Sequence, residues 1–343
     1  MEDSGSRTYV ERLRAVTPGV LLLLVVAGLS VWLATFLPAY IGGVFVAVVL
    51  GILIANIVRP DMAVYGPGVK LGLKQFLKAA IVLLGAGISF QEIRSFGGEG
   101  LLVILILIVA VFVVAISLGR LLGVALRRVL LIAVGVSICG NTAVATTAPL
   151  IDADEDEVAM AVGIVTLFGV LSVLIYPLIG TFLEMSDLIF GVWAGTAIND
   201  TSQVVAAGFI YSEEAGKIAT TIKLTRNVMI VPVVLGVAYF YRRRVQTETG
   251  RRVKVREIFP TFVLGFLALA AVNSFGLLPE LVQEWLLATS RFLILVALSG
   301  IGLSVNLKKL RGIGLKPFGL GFVVELLLAV GALLLIMLVF GVL

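Results

Sequence analysis

Eleven long apolar segments run the length of this chain, and a few polar residues sit near the middle of them. Crossing the ~30 Å hydrocarbon core of a bilayer takes about 20 apolar residues as helix, and lipid cannot hydrogen-bond to the backbone. Helices across a membrane are therefore the fold open to such a chain. A membrane β-barrel is set aside, because its strands alternate apolar and polar residues and these runs do not. The composition agrees: 60% of residues are hydrophobic and 14% charged, with a mean hydropathy of +1.15. A soluble surface needs far more charge than that. Cys139 is the only cysteine, so no intramolecular disulfide forms, and the absence of histidine removes histidine relays and histidine-ligated metals. The net charge of +5 is better explained by basic loops than by a nucleic-acid partner.

The expected spans are 18–37, 40–57, 74–90, 101–119, 129–149, 158–183, 188–210, 217–240, 258–277, 286–305 and 317–341. Residues 1–17 form a polar lead-in with Arg7, Arg12 and Arg14, and the first apolar stretch is too long for a signal-peptide core. Asp61 to Gly68 and Tyr211-Ser-Glu-Glu read as turns. Lys and Arg collect in alternate loops: Arg59 and Lys70; Arg120, Arg127 and Arg128; Arg242 to Arg256; and Lys308, Lys309, Arg311 and Lys316. Intervening loops hold Asp152 to Glu157, Glu213 and Glu214, and Glu280 and Glu284. The excess of Lys and Arg on cytoplasmic loops predicts an inner N-terminus, residues 1–17 in the cytoplasm and an outer C-terminus. The chain is thus expected to be one all-α polytopic domain over 1–343 with about eleven transmembrane helices. Gly85-Ala-Gly87-Ile-Ser89 matches Gly300-Ile-Gly302-Leu-Ser304, and Ser137-x-x-Gly140 matches Ser299-x-x-Gly302, in oppositely directed spans. Only one of these registers can hold, and an odd span count suits one extra helix plus a five-plus-five inverted repeat with broken, crossed helices.

Charges at mid-membrane depth are rare and mark solute, ion or proton pathways. In the fifth span, Ser137-Ile-Cys-Gly140-Asn141-Thr142 puts small and polar residues halfway across. Such a centre suits an unwound helix, whose amino end favours anions; the alternative is close packing through small residues. In the seventh span, Thr196, Asp200 and Gln203 fall on one face of a continuous helix, with Asn199 at its border. Asp200 lies roughly 18 Å deep at 1.5 Å per residue. In the eighth, Thr220, Lys223 and Asn227 share a face that Arg226 borders. The planar guanidinium fork suits sulfate, sulfonate, carboxylate or phosphate oxygens. The competing reading is a permanent Arg226–Asp200 ion pair between two helices. Asp152-x-Asp154-x-Asp156 lacks the glycine and distal glutamate of a calcium loop and reads as a solvated turn. Glu325 is deep in the last span with no partner visible in the sequence.

These motifs carry a family resemblance. Ser137-Ile-Cys-Gly-Asn-Thr-Ala-Val-Ala with Ala148-Pro149, Trp193 to Ala207, and Lys223-Leu-Thr-Arg226-Asn227 with Pro232 resemble the YeiH-like bacterial membrane proteins, a family labelled as sulfate exporters. The resemblance covers nearly the whole chain and extends distantly to cation/proton antiporters and anion transporters. It implies a secondary transporter of a small anion (sulfate, sulfonate or organic acid) in the plasma membrane, working outward. Many members carry histidine where this chain has Asn199, so a coupling histidine does not carry over. Asp200 then stands as the ion-coupling carboxylate, with Ser137, Gly140, Asn141, Thr142, Asn199, Gln203, Lys223, Arg226 and Asn227 as substrate contacts. The expected partners are the anion, the bilayer and a second copy of the chain, with no cofactor, metal or nucleic acid. The rival on the same fold is a cation/proton antiporter using Asp200. An intramembrane enzyme lacks support from histidine, a Gly-x-Ser-x-Gly elbow or paired metal-ligand motifs, and no nucleotide-binding Gly-x-x-x-x-Gly-Lys-[Ser/Thr] run occurs. In a chain carrying Cys139→Ser, a membrane-impermeant thiol reagent applied to intact cells is expected to label Asp156→Cys and leave Glu248→Cys untouched; the opposite pattern would invert the orientation.

Overall fold

A computed structural model describes residues 3–37, 42–88, 97–245, 261–305 and 314–339. Among them there is no strand, and helix dominates throughout. Ser89, Arg251 to Arg256, Lys308, Lys309, Arg311 and position 248 lie outside the described residues, so the basic-loop expectation for those positions does too. The chain divides into two compact units, one of residues 1–90 and 262–309, the other of 91–261 and 310–343.

The first unit begins with α1 (Asp3–Ala34), so the polar lead-in from residue 3 onward belongs to the same helix as the first apolar span. Next come α2 (Gly43–Leu53), which runs on as a π-helical turn to Val58, and α3 (Met62–Leu71). A second π turn over Gly72–Phe76 joins α3 to α4 (Leu77–Leu84). The stretch Asp61 to Gly68, expected as a turn, is helical. The Asp61 side chain caps it by accepting from the Ala63 N–H at 2.9 Å. Gly68 is there for close approach: a Cβ on it would lie 2.2 Å from the Val16 carbonyl of α1. The same device joins α2 to α14 (Glu280–Ser304), where a Cβ on Gly51 would lie 2.7 Å from the Ser299 carbonyl. Gly302 faces back onto α2, its Cβ position 2.2 Å from the Val48 carbonyl. Small residues that let backbones touch are the usual adhesive between helices in lipid, where burying apolar side chains gains little. α13 (Phe262–Ser274) belongs to the same unit.

The second unit holds α5 (Gly97–Leu122), α6 (Leu126–Ser137), α7 (Asn141–Thr147), α8 (Glu155–Phe182), α9 (Asp187–Ala197), α10 (Thr201–Tyr211), α11 (Glu213–Val228), α12 (Ile230–Val245) and α15 (Leu315–Val339). Each start follows from its local sequence. Asp154 and Glu157 form a reciprocal capping box on α8, so the acidic run after the fifth span is a helix cap. Ser186 and Ser212 cap α9 and α11 through their hydroxyls. Met229 interrupts the eighth span, and Pro232 just beyond lacks the N–H that would bond to the Val228 carbonyl. The fifth and seventh spans are each two helices, with breaks at 138–140 and 198–200. Thr196, Asp200 and Gln203 therefore do not share one continuous helical face. Ser299-x-x-Gly302, by contrast, lies inside unbroken α14, so its match to Ser137-x-x-Gly140 does not join like elements.

Six described helices are long and apolar enough to cross a membrane, which makes the chain a multi-pass membrane protein. Gly51→Val is expected to wedge α2 from α14 at a cost of about 1–3 kcal/mol, read as a lower thermal midpoint of the purified protein; an unchanged midpoint would show that this backbone contact contributes nothing.

Candidate functional site

The two breaks of the second unit lie against each other. At the first, Ile138 leaves helical geometry with φ −126° and ψ −92°, and Gly140 takes φ +63° and ψ −126°. That left-sided conformation is open to glycine and costly to other residues. A Cβ on Gly140 would also sit 3.4 Å from the Asp200 Cβ, so the glycine sets how closely the second break approaches the first. There, Ile198 is extended and Asp200 becomes the N-cap of α10. Its Oδ1 accepts from the Ser202 N–H at 2.8 Å and from the Ser202 hydroxyl at 2.5 Å.

A helix that stops leaves its last carbonyls without amide partners and with partial negative charge. Here those carbonyls belong to the ends of α6 and α9, and α11 supplies their donors. Arg226 donates from Nε to the Ser137 carbonyl at 2.7 Å and from Nη2 to Val136 at 2.6 Å. Its Nη1 donates to Ile198 at 3.2 Å and also to Thr196. Lys223 Nζ donates to the Ile138 carbonyl at 2.5 Å and to Ile198 at 2.9 Å. Lys223 is 0% and Arg226 2% exposed. Cationic donors make these bonds stronger than neutral ones.

This arrangement corrects two expectations. No salt bridge joins Arg226 to Asp200 among the described residues; each is committed to backbone at the breaks. The open guanidinium fork is not available either. Of the five N–H groups of arginine and the three of lysine, one on each side chain is not engaged by these carbonyls.

The other predicted residues gather nearby. Asn141 exchanges hydrogen bonds with the Thr166 hydroxyl of α8 at 3.2 and 3.3 Å. Gln203 Nε2 reaches the Thr166 carbonyl at 3.4 Å, lying over Gly169, where a Cβ would fall 1.9 Å from its Oε1. Asn227 Nδ2 donates to the Thr201 hydroxyl at 3.2 Å. Ser137 contributes its carbonyl, while its hydroxyl turns back to Val134 at 3.4 Å. Thr142 is exposed, and Asn141, Thr166, Asp200, Thr201 and Ser202 are half-buried, so a polar, accessible edge borders the buried cations. Asn199 is buried and donates to Glu325 Oε2 on α15 at 2.8 Å. Sequence reasoning missed Thr166, Thr201 and the partner of Glu325, for which spacing along the chain holds no signal. The carbonyl role of Lys223 and Arg226 did leave one: two interrupted helices need buried donors, and these are the two cations in the next span.

Two discontinuous helices meeting at a buried cationic pair, in a unit of apolar helices, define a multi-pass α-helical membrane protein with a polar centre. The chain belongs to the family described as conserved hypothetical protein 698, whose model matches residues 18–321. A UPF0324 membrane protein of Clostridium tetani is 34% identical over 325 residues, 91% of this chain and 94% of that protein. The UPF0324 membrane protein blr3189 of Bradyrhizobium diazoefficiens is 34% identical over 317 residues, 91% and 90% of the two chains. A UPF0324 membrane protein of Yersinia pestis is 32% identical over 326 residues, 92% and 90%. This is the family that the three motifs resemble. No solved structure matches the chain.

Gly140→Ala is expected to cost about 1–3 kcal/mol through backbone strain. Arg226→Met, which orphans several buried carbonyls at about 1–3 kcal/mol each, is expected to cost more. Thermal midpoints of the purified variants check the order, and an Arg226→Met protein as stable as wild type would remove the carbonyl-holding role.

Proposed function

We propose that this protein is a secondary active transporter that moves a small anion, of the sulfate, sulfonate or organic-acid class, across the plasma membrane. The observation that carries this reading is the pair of adjoining helix breaks with Lys223 and Arg226 buried between their carbonyl ends. Substrate sites of secondary transporters are typically built on interrupted helices, and freed backbone is tolerated in a membrane only beside protein or a water-filled cavity. Two buried cations supply the charge that draws an anion inward. The half-buried groups of Asn141, Thr166, Asp200 and Ser202, with exposed Thr142, supply the polar edge on which it is first held. Ser137, Gly140, Asn199, Gln203 and Asn227 hold that edge in shape through the contacts already described.

The topology in this reading has eleven crossings, with the N-terminus inside and the C-terminus outside. Five are the long helices α1, α5, α8, α14 and α15, and a sixth is α11 continued by α12 past Met229; α2 with its π turn and α13 are shorter; α3 to α4, α6 to α7 and α9 to α10 are the other interrupted ones. An inverted repeat relating them is part of the same proposal. Outward transport follows the family resemblance, and no catalytic role is assigned to any residue. The second reading, a cation/proton antiporter, is favoured by Asp200, a half-buried carboxylate at the second break.

Proteoliposomes offered labelled sulfate, methanesulfonate and malate in turn, with sodium and potassium in parallel, separate the readings. Anion accumulation is expected. Lys223→Met, verified as folded, should lower it by at least about tenfold, equivalent to 1.4 kcal/mol. Sodium or potassium flux driven by a pH step, with no anion moved, would replace this proposal with the antiporter.

A further inference from the structure

Past Lys316, Glu325 is the only charged residue of α15, and only 6% of it is exposed. Its Oε2 accepts from Asn199 Nδ2 at 2.8 Å. Its other oxygen, Oε1, is buried without a partner, and so is Oδ1 of the same Asn199. An ionised carboxylate only accepts hydrogen bonds, and so does an amide oxygen. With Glu325 ionised, this side-chain pair holds two buried acceptors and no donor for either. Turning the amide over does not help, since it would set oxygen against oxygen where the one bond now lies. A single proton on Oε1 does help, because the carboxylic acid then donates to the amide oxygen while its other oxygen accepts from the amide nitrogen. Acid and amide close a reciprocal pair, and both unpartnered atoms are satisfied.

Among the described residues no donor is hydrogen-bonded to either atom. From α8, the Tyr176 hydroxyl acts on Glu325 through space without a hydrogen bond to it. From α11, Lys223 and Arg226 act on Glu325 through space, but their hydrogen bonds go to backbone carbonyls. From α9, Trp193 Nε1 donates to the Ala329 carbonyl at 2.8 Å, which fastens the two helices one turn further along. The arginines of α5 and α6, Arg120, Arg127 and Arg128, lie in the terminal turns of their helices.

We propose that Glu325 is a proton-binding site, filled as the neutral acid in a reciprocal pair with Asn199, and that its proton travels with the transported anion. The first half stands on the side-chain geometry; the second rests on the transport reading above. Formal charges explain the coupling. With Glu325 neutral, Lys223 and Arg226 exceed Asp200 by one positive charge, which an entering anion cancels; with Glu325 ionised the four charges balance, and the same anion adds an uncompensated negative charge, which is costly at low dielectric. A proton taken up by Glu325 (carboxylate plus proton to carboxylic acid, with no other bond changed) restores the balance. Anion and proton therefore bind together, and net flux follows the sum of their gradients. Asn199 is the lever, because it lies between Ile198, whose carbonyl holds Lys223 and Arg226, and Asp200, which caps α10. Closing the acid–amide pair ties that break to α15, and opening it frees the break.

Infrared difference spectra of the purified full-length protein between alkaline and acid pH test the site without any solute. Wild type is expected to gain a carboxylic C=O band on acidification that Glu325→Gln lacks. In Asn199→Leu the same band should move to higher frequency, because the acid loses its amide partner. Identical difference spectra for wild type and Glu325→Gln overturn the proton site, and a band unmoved in Asn199→Leu overturns the pair. In proteoliposomes, a pH step should drive labelled sulfate uphill in wild type but not in Glu325→Gln. If sulfate moves without responding to the pH step, the coupling half of the proposal is wrong. If no anion moves at all while the infrared band behaves as expected, the transport reading fails and the proton site stands.

Discussion

Everything at the centre of the second unit depends on Lys223 and Arg226 meeting the carbonyl ends of two broken helices. A buried cation and a row of unpaired carbonyls are each costly in a low-dielectric interior. Set together they offset one another, since each cation receives several acceptors and each carbonyl a charged donor. Five carbonyls from two helices converge on two side chains of a third. The breaks can then persist inside the unit, and α6, α9 and α11 are locked to one another by polar contacts rather than by apolar packing alone.

The opposite ends of the breaks are treated differently. The amino end of α10 is capped by Asp200, and α7 begins at Gly140 without a side-chain cap. Negative ends are buried and neutralised, while the polar groups at the positive ends stay partly accessible. That edge presents hydroxyls, amides and one carboxylate, with cationic charge behind them. The α9–α10 break is also tied to α15 through Asn199 and Glu325. A change in the charge of one buried carboxyl therefore reaches the backbone that Lys223 and Arg226 hold, which is a physical route from proton binding to a shift in helix position.

Much of this was legible along the chain. Gly140 announced the first break, since a glycine beside asparagine and threonine in mid-span serves a turn better than a helix. Buried cations at Lys223 and Arg226 announced a polar centre, because nothing else justifies their cost in lipid. The single-face arrangement of Thr196, Asp200 and Gln203 failed for a specific reason: it assumed helical continuity through Asn199-Asp200, where a cap begins a new helix. Asp61 to Gly68 misled in the other direction. Its glycines and proline look like breakers, yet Gly68 is required for backbone contact with α1 inside a helix.

Apolar length and the position of charges by themselves determined that the chain crosses a membrane as helices, and that Lys223, Arg226 and the motifs around Gly140 and Asp200 belong to its polar centre. That much is local: span length, caps and breakers act within a few residues, and the cost of burying charge applies whatever the neighbours are. The partners of those charges were decided only by tertiary structure. Arg226 lies 90 residues from the Val136 carbonyl it holds, and Asn199 lies 126 residues from Glu325. No periodicity spans such separations, because a hydrogen bond is set by distance in space, and helix packing alone brings those atoms together.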